Sequence, residues 1–190
     1  CNGWIREGTP VVEASSGSTA ISEAYFAKLL DLPFHTVIPK CTSKEKVHKI
    51  EFLQGTCHVV NDDQNIDAAA SKLARDLGGH YMDQFTYAER ATDWRGNNNI
   101  AESLFRQMSR ERYPEPTWVV MSAGTGGTSA TIGRYIRYQK LSSRLCVADP
   151  DHSVYYEYFQ SRDRKLRCDR PSRIEGIGRP RVEPSFVADV

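Results

Sequence analysis

The sequence predicts an α/β protein built on parallel sheet, and three observations carry that reading. Short apolar runs alternate with helical stretches about ten residues long, the order of βαβ units, whose strands pair in parallel. Two of the apolar runs break into a turn of glycines and hydroxyl residues that opens a helix: Glu13-Ala-Ser-Ser-Gly-Ser-Thr19 and Gly124-Thr-Gly-Gly-Thr128. Apolar residues make up 39% of 190, enough for the core of one domain or two small ones. No apolar run approaches the ~18 residues that a bilayer requires.

Taken in order, residues 1–9 read as the end of a helix stopped by Gly3 and Gly8. Pro10–Glu13 is a short strand. After the serine turn, Ala20–Leu30 is a helix whose apolar positions Ile21, Ala24, Tyr25, Ala27 and Leu29 fall near helical spacing. Phe34–Pro39 is a strand ended by its proline. Ser43–Gln54 is a helix with Ser43 as N-cap and Gly55 as stop, and Cys57–Val60 is the next strand. A helix begins at Asn65 or Asp67 and runs to Leu77, closed by Gly78 and Gly79. His80–Met82 is a strand leading into Asp83-Gln84-Phe85. Residues 86–97 are polar and irregular and mark a boundary between two units, 1–87 and 88–190. Asn98–Arg112 is helical. Trp118–Met121, preceded by Pro114 and Pro116, is a strand that enters the glycine loop, and a helix follows to Lys140. Arg144–Ala148 is a strand. Residues 151–172, rich in Tyr, Asp and Arg, read as a surface excursion with a solvated charge run at 161–170. A turn carrying Gly176 and Gly178 follows.

The formal net charge is +1, and no basic stripe is interleaved with aromatics, so nucleic acid is not indicated as a partner. The five cysteines (1, 41, 57, 146, 168) show no regular spacing, which suits a reducing cytosol. The five histidines (35, 48, 58, 80, 152) make no metal-ligand spacing with them. The sequence starts at Cys1, without a signal peptide, and reads as part of a longer chain.

The glycine loop has the chemistry of a phosphate cradle. Glycines let backbone N–H groups converge on a ligand, the helix N-terminus adds unpaired donors, and Thr125 and Thr128 add hydroxyls. It is neither common nucleotide loop: no lysine follows Gly127, and Ser129 stands where a dinucleotide fingerprint needs its third glycine. The serine turn suits a carboxylate or phosphate oxygen. Taken alone, it equally suits a serine N-cap with no ligand.

Three motifs in order, the serine turn, the glycine loop and Glu175-Gly-Ile-Gly178, with Gln84-Phe85 between them, resemble the pyridoxal-phosphate enzymes of the cysteine synthase and cystathionine β-synthase family, fold type II. The resemblance covers nearly the whole chain. Around Ser15–Tyr25 and Gly176–Pro184 it is most similar to the bacterial L-cysteine desulfhydrases. It implies two open, twisted, mainly parallel sheets flanked by helices, here without their N- and C-terminal parts. It also implies a smaller substrate-loop unit at 1–87, a larger phosphate-binding unit at 88–190, and pyridoxal 5′-phosphate as cofactor. Ser15, Ser16, Gly17 and Thr19 would hold an amino acid's α-carboxylate, with Gln84 beside it. Ser18 stands where the family usually has an asparagine touching the cofactor's ring hydroxyl. Gly124, Thr125, Gly126, Gly127 and Thr128 would cradle the 5′-phosphate, and Gly176 would lie against the ring edge. None of the lysines at 28, 40, 44, 46, 49, 72, 140 and 165 matches the family's Schiff-base lysine, which lies upstream of Cys1, so no catalytic residue is assigned within the chain. The implied reaction is β-elimination from L-cysteine to sulfide, pyruvate and ammonia, by a cytoplasmic homodimer with no membrane or nucleic-acid partner. The alternatives are β-replacement making cysteine from O-acetylserine, and a non-catalytic binding protein on the same scaffold.

Overall fold

The alternation of apolar runs and helical segments becomes parallel sheet in both halves of the chain. The computed structural model describes residues 3–61, 65–95, 98–170, 172, 174 and 176–190. They form two compact units, Cys1–Gln84 and Phe85–Val190.

In the first unit, β1 (Val11–Glu13), β2 (Phe34–Pro39), β3 (Thr56–Val60) and β4 (His80–Tyr81) form a sheet ordered β3-β2-β1-β4. All three pairings are parallel, with Val12 opposite His35 and Tyr81 and with Thr36 opposite Cys57. The crossovers are α1 (Ser18–Leu29), α2 (Lys44–Phe52) and α3 (Ile66–Leu77). Val11, Phe34 and Ile50 pack with the α1 alanines 20, 24 and 27. Those alanines recur every three or four residues, so the smooth side of α1 lies on the sheet. Tyr25 and Leu29, expected on the buried face, are instead 48% and 63% exposed. The helix is apolar around most of its circumference, and close packing selects its small residues for the sheet.

Asn65 caps α3, its Oδ1 accepting from the N–H groups of Asp67 and Ala68, and Gly78 closes the helix at φ 62°. Ser43 occupies the α2 N-cap position but its side chain makes no cap bond. The described residues of 1–9 form bends and turns rather than a helix end, because Gly3 and Gly8 both take left-handed φ values. Cys1 lies outside the described residues. Among the described residues, Cys57, Cys146 and Cys168 are free thiols.

The stretch expected to be irregular, residues 86–97, opens with the end of α4 (Gln84–Tyr87) and a 3₁₀ turn at Ala88–Arg90. In the second unit, α5 (Ile100–Met108) is shorter than the expected 98–112, since Asn99 takes the N-cap and Ser109 bonds back to the Arg106 carbonyl. β5 (Trp118–Ser122) and β6 (Arg144–Ala148) pair in parallel with Val120 opposite Cys146, and α6 (Gly127–Gln139) crosses between them. Phe105, Val119, Ile132 and Ile136 make one core cluster. Ala123, Tyr155, Tyr158, Val182 and Phe186 make a second. That second core corrects the reading of 151–172 as a surface excursion: α7 (Tyr155–Ser161) buries Tyr155 and Tyr158, three residues apart on one helical face. Their polar neighbours hide this spacing in the sequence. Among the described residues no helix is long and apolar enough to cross a membrane.

Candidate functional site

The glycine loop lies at the C-terminal end of β5 and opens α6, which has no side-chain cap. Its carbonyls are spent inside the protein: those of Ala123, Gly124, Thr125 and Gly126 accept, in turn, from Gly178 N, Tyr155 Oη, Ser185 Oγ and both Ala130 N and Ser129 Oγ. Among the described residues the backbone N–H groups of 125–129 donate to no protein acceptor. The glycines are required by close approach. A Cβ on Gly124 would stand 2.6 Å from the Gly176 carbonyl oxygen, and one on Gly127 would stand 2.9 Å from that of Ala88. Gly126, at φ 92°, makes the bend into the helix. Thr125 is half-buried and Thr128 exposed at the helix start. Gly176 lies against Gly124; Glu175 lies outside the described residues.

The serine turn lies at the C-terminal end of β1 and opens α1, again with a glycine, Gly17, at the cap position and no side-chain cap. Ser15 Oγ accepts from Gly17 N at 3.2 Å, and the Thr19 hydroxyl donates to Gln84 Oε1 at 2.9 Å. The turn is fastened from below. Thr36, fully buried on β2, donates to the Ser15 carbonyl at 2.5 Å and to that of Glu13 at 3.2 Å. The Glu13 carboxylate, fully buried, accepts from Ala14 N at 2.6 Å and from Gln84 N at 3.3 Å. One side chain thus ties both ends of the substrate-loop group together. Glu23, one helical turn beyond Thr19, has a buried Oε2 with no hydrogen-bond partner among the described residues. Burial pushes Glu13 up to about 7, and burial together with the Glu13 charge pushes Glu23 up to about 9.

Ser15, Gly17, Thr19 and Gln84 therefore come together within the first unit, with Ser16 half-buried in the turn, while Ser18 is exposed on the first turn of α1. Gly124–Thr128 and Gly176 come together within the second. Sequence reasoning missed the supports: Glu13, Glu23, Thr36, Tyr155 and Ser185. Glu13 carried a signal, a charged residue ending an apolar strand. Tyr155 and Ser185, about 30 and 60 residues from the carbonyls they hold, carried none. The half-buried His35–His58 contact (Nδ1 to Nε2, 3.1 Å) was also invisible, being made by strand register.

Residues 2–189 match the family described as pyridoxal-phosphate dependent enzymes, and the chain belongs to that family. It is 59% identical over all 190 residues to L-cysteine desulfhydrase Cds1 of Mycobacterium tuberculosis, covering 52% of that protein. It is 27% identical over 191 residues to a cysteine synthase of Dictyostelium discoideum, covering 93% of this chain and 49% of that one. The fold is similar to that of O-ureido-L-serine synthase, with a TM-score of 0.81 at 20% identity over 97% of this chain and 55% of that one. The chain spans about half the length of the curated relatives it matches. The family's cofactor is pyridoxal 5′-phosphate. The glycine loop fits its phosphate: among the described residues its N–H donors have no protein acceptor, and they stand at a helix N-terminus with no side-chain cap.

Proposed function

We propose that the protein is a pyridoxal-phosphate-dependent lyase that removes sulfide from L-cysteine by β-elimination, leaving pyruvate and ammonia. The observation that carries this is the 59% identity to a cysteine desulfhydrase across the whole chain, both loops included. When bound, pyridoxal phosphate supplies the electron sink that stabilises negative charge at the amino acid's α-carbon. This chain supplies binding and orientation. The N–H groups of Thr125–Thr128, with the threonine hydroxyls, would hold the 5′-phosphate, and Gly176 would border the ring. Ser15, Ser16, Gly17 and Thr19 take the substrate carboxylate at the uncapped start of α1, where N–H donors and the helix dipole favour an anion. Gln84, held by Thr19 and Glu13, stands beside that carboxylate. Ser18 would stand at the position from which the family's asparagine touches the cofactor hydroxyl. None of the chain's lysines matches the family's Schiff-base lysine, so in this reading no residue of the chain carries the cofactor. The protein is read as cytoplasmic, in keeping with the free thiols of Cys57, Cys146 and Cys168, and as a homodimer, as the family resemblance implies.

The second reading, cysteine synthesis by β-replacement, has the similarity to a cysteine synthase in its favour. The test is an absorbance spectrum of the protein expressed from its complete reading frame, with and without L-cysteine, and assays of both products. A visible cofactor band that shifts, with sulfide and pyruvate formed in equal amounts, is expected. A cofactor band without sulfide, but with cysteine made from O-acetylserine, would move the assignment to the synthase. No cofactor band would leave a binding protein.

A further inference from the structure

The glycine loop can offer its N–H groups to an anion only if its peptide planes face one way, and nothing in a glycine-rich sequence imposes that. In a trans peptide the C=O of one residue and the N–H of the next point in opposite directions. Fixing a carbonyl therefore aims the following N–H. Three consecutive carbonyls are fixed here. Ala123 accepts from the Gly178 N–H at 2.7 Å, Gly124 from the Tyr155 hydroxyl at 2.6 Å, and Thr125 from the Ser185 hydroxyl at 2.5 Å. The first donor is backbone; the other two are side chains that no loop motif contains.

Both hydroxyls are rigidly mounted. Tyr155 is 2% exposed and stacks on Phe186 with centroids 3.7 Å apart and planes within 7°. Ser185 is fully buried, and its N–H donates to the Phe85 carbonyl at 3.0 Å. The segment that carries Ser185 and Phe186 is anchored by Glu183, whose buried carboxylate accepts from Arg179 Nε at 2.7 Å and Arg181 Nε at 3.1 Å. Phe186 also lies directly against Gly126, where an added Cβ would stand 3.0 Å from its Cα. Burial raises the Tyr155 phenol, which keeps its proton and stays a donor.

We propose that Tyr155 and Ser185 are positioning residues for the cofactor phosphate: by holding the Gly124 and Thr125 carbonyls, they turn the Thr125 and Gly126 N–H groups toward the anion. The inference rests on the reading of 124–128 as the phosphate loop. Without either hydroxyl, a peptide of this flexible loop is free to rotate. One N–H donor is then withdrawn, and a carbonyl oxygen turns toward the phosphate and repels it.

The experiment compares wild type, Tyr155→Phe and Ser185→Ala in the protein expressed from its complete reading frame and stripped of cofactor. Tyr158→Phe is the control: it removes a hydroxyl from the same aromatic cluster without touching the loop. Dissociation constants are measured for pyridoxal phosphate and for pyridoxal, which has no phosphate, and the fold of each apoprotein is checked by circular dichroism and melting. Each test variant is expected to bind pyridoxal phosphate about tenfold more weakly, the effect of one lost charge-assisted donor. Pyridoxal affinity stays within about twofold, and Tyr158→Phe behaves as wild type. Either variant folding normally and binding pyridoxal phosphate like wild type overturns the inference for its residue. Equal weakening for both probes also overturns it, because the effect is then not on the phosphate. If Tyr155→Phe does not fold, Ser185→Ala decides. A wild-type protein that binds both probes alike removes the phosphate-loop reading itself, an outcome distinct from variants that match a discriminating wild type.

Discussion

Glu13 and Glu23 are the residues whose chemistry departs furthest from what their letters suggest. A glutamate in a sequence is read as a surface charge, yet Glu13 is fully buried and Glu23 presents a buried oxygen with no hydrogen-bond partner among the described residues. Both carboxyls are raised above the ordinary value of 4.5, to about 7 and about 9. The folded state thus binds more protons than the unfolded chain across that window. The stability this proton uptake provides is complete below the ordinary value and is lost as pH rises through the two raised values. Glu23→Gln, which cannot ionise, is expected to melt with a flatter alkaline limb, losing about 2–4 °C less than wild type between about pH 7.5 and 9.5. Parallel melting curves for the two proteins would contradict the assignment. Thr19 acts at the same scale through its bond to Gln84 Oε1. On the proposed function, Thr19→Val leaves the Gln84 side chain unanchored and is expected to raise KM for L-cysteine about tenfold while kcat stays within about threefold. A fall in kcat at unchanged KM would mean that the pair serves the reaction step instead of substrate binding.

At the scale of elements, the decisive contrast is between helices that cap themselves and helices that do not. α3 and α5 take asparagine caps from their own sequence, whereas α1 and α6 begin behind Gly17 and Gly126 with no side-chain cap. Asn65→Ala is expected to cost about 1 kcal/mol in urea unfolding, and Ser43→Ala, whose side chain makes no cap bond, less than about 0.5 kcal/mol. In the glycine loop, Gly124→Ala would put a methyl 2.6 Å from the Gly176 carbonyl oxygen. The loop has to move, and cofactor titration is expected to show affinity reduced by about tenfold or more. Strands and their order along the chain were legible in the sequence because apolar runs and glycine turns punctuate them. α7 was not, because only Tyr155 and Tyr158 of its seven residues are buried and the surrounding composition is that of a loop. The buried face of α1 was not either, since sequence periodicity ranks Tyr25 and Leu29 with Ala24 and Ala27, and only packing against the sheet separates small from large.

At the scale of the molecule, each unit leaves apolar surface open. On the first, α1 exposes Tyr25, Phe26 and Leu29, and Leu30 and Phe52 are 68% and 73% exposed. On the second, the two-stranded sheet exposes Trp118 and Val120. Surface of this kind drives association when nothing covers it. The 190-residue polypeptide on its own is expected to elute in size exclusion ahead of a monomer, and Phe26→Ser with Leu30→Ser to shift it toward the monomer position. Monomeric elution of the unsubstituted chain would refute this.

The sequence by itself determined the α/β class, the parallel pairing and the two glycine turns that open helices, because these follow from local periodicity and from backbone conformations that few residues adopt. It also placed the chain in its family through the order of its motifs. Only the tertiary structure decided what holds those turns in shape. Thr36 reaches the serine turn from a neighbouring strand, Glu13 reaches Gln84 across 71 residues, and Tyr155 and Ser185 fix the glycine loop across 31 and 60. Hydrogen bonds between residues so far apart in the chain leave no periodic trace, since their partners meet only once strands have paired and helices have packed.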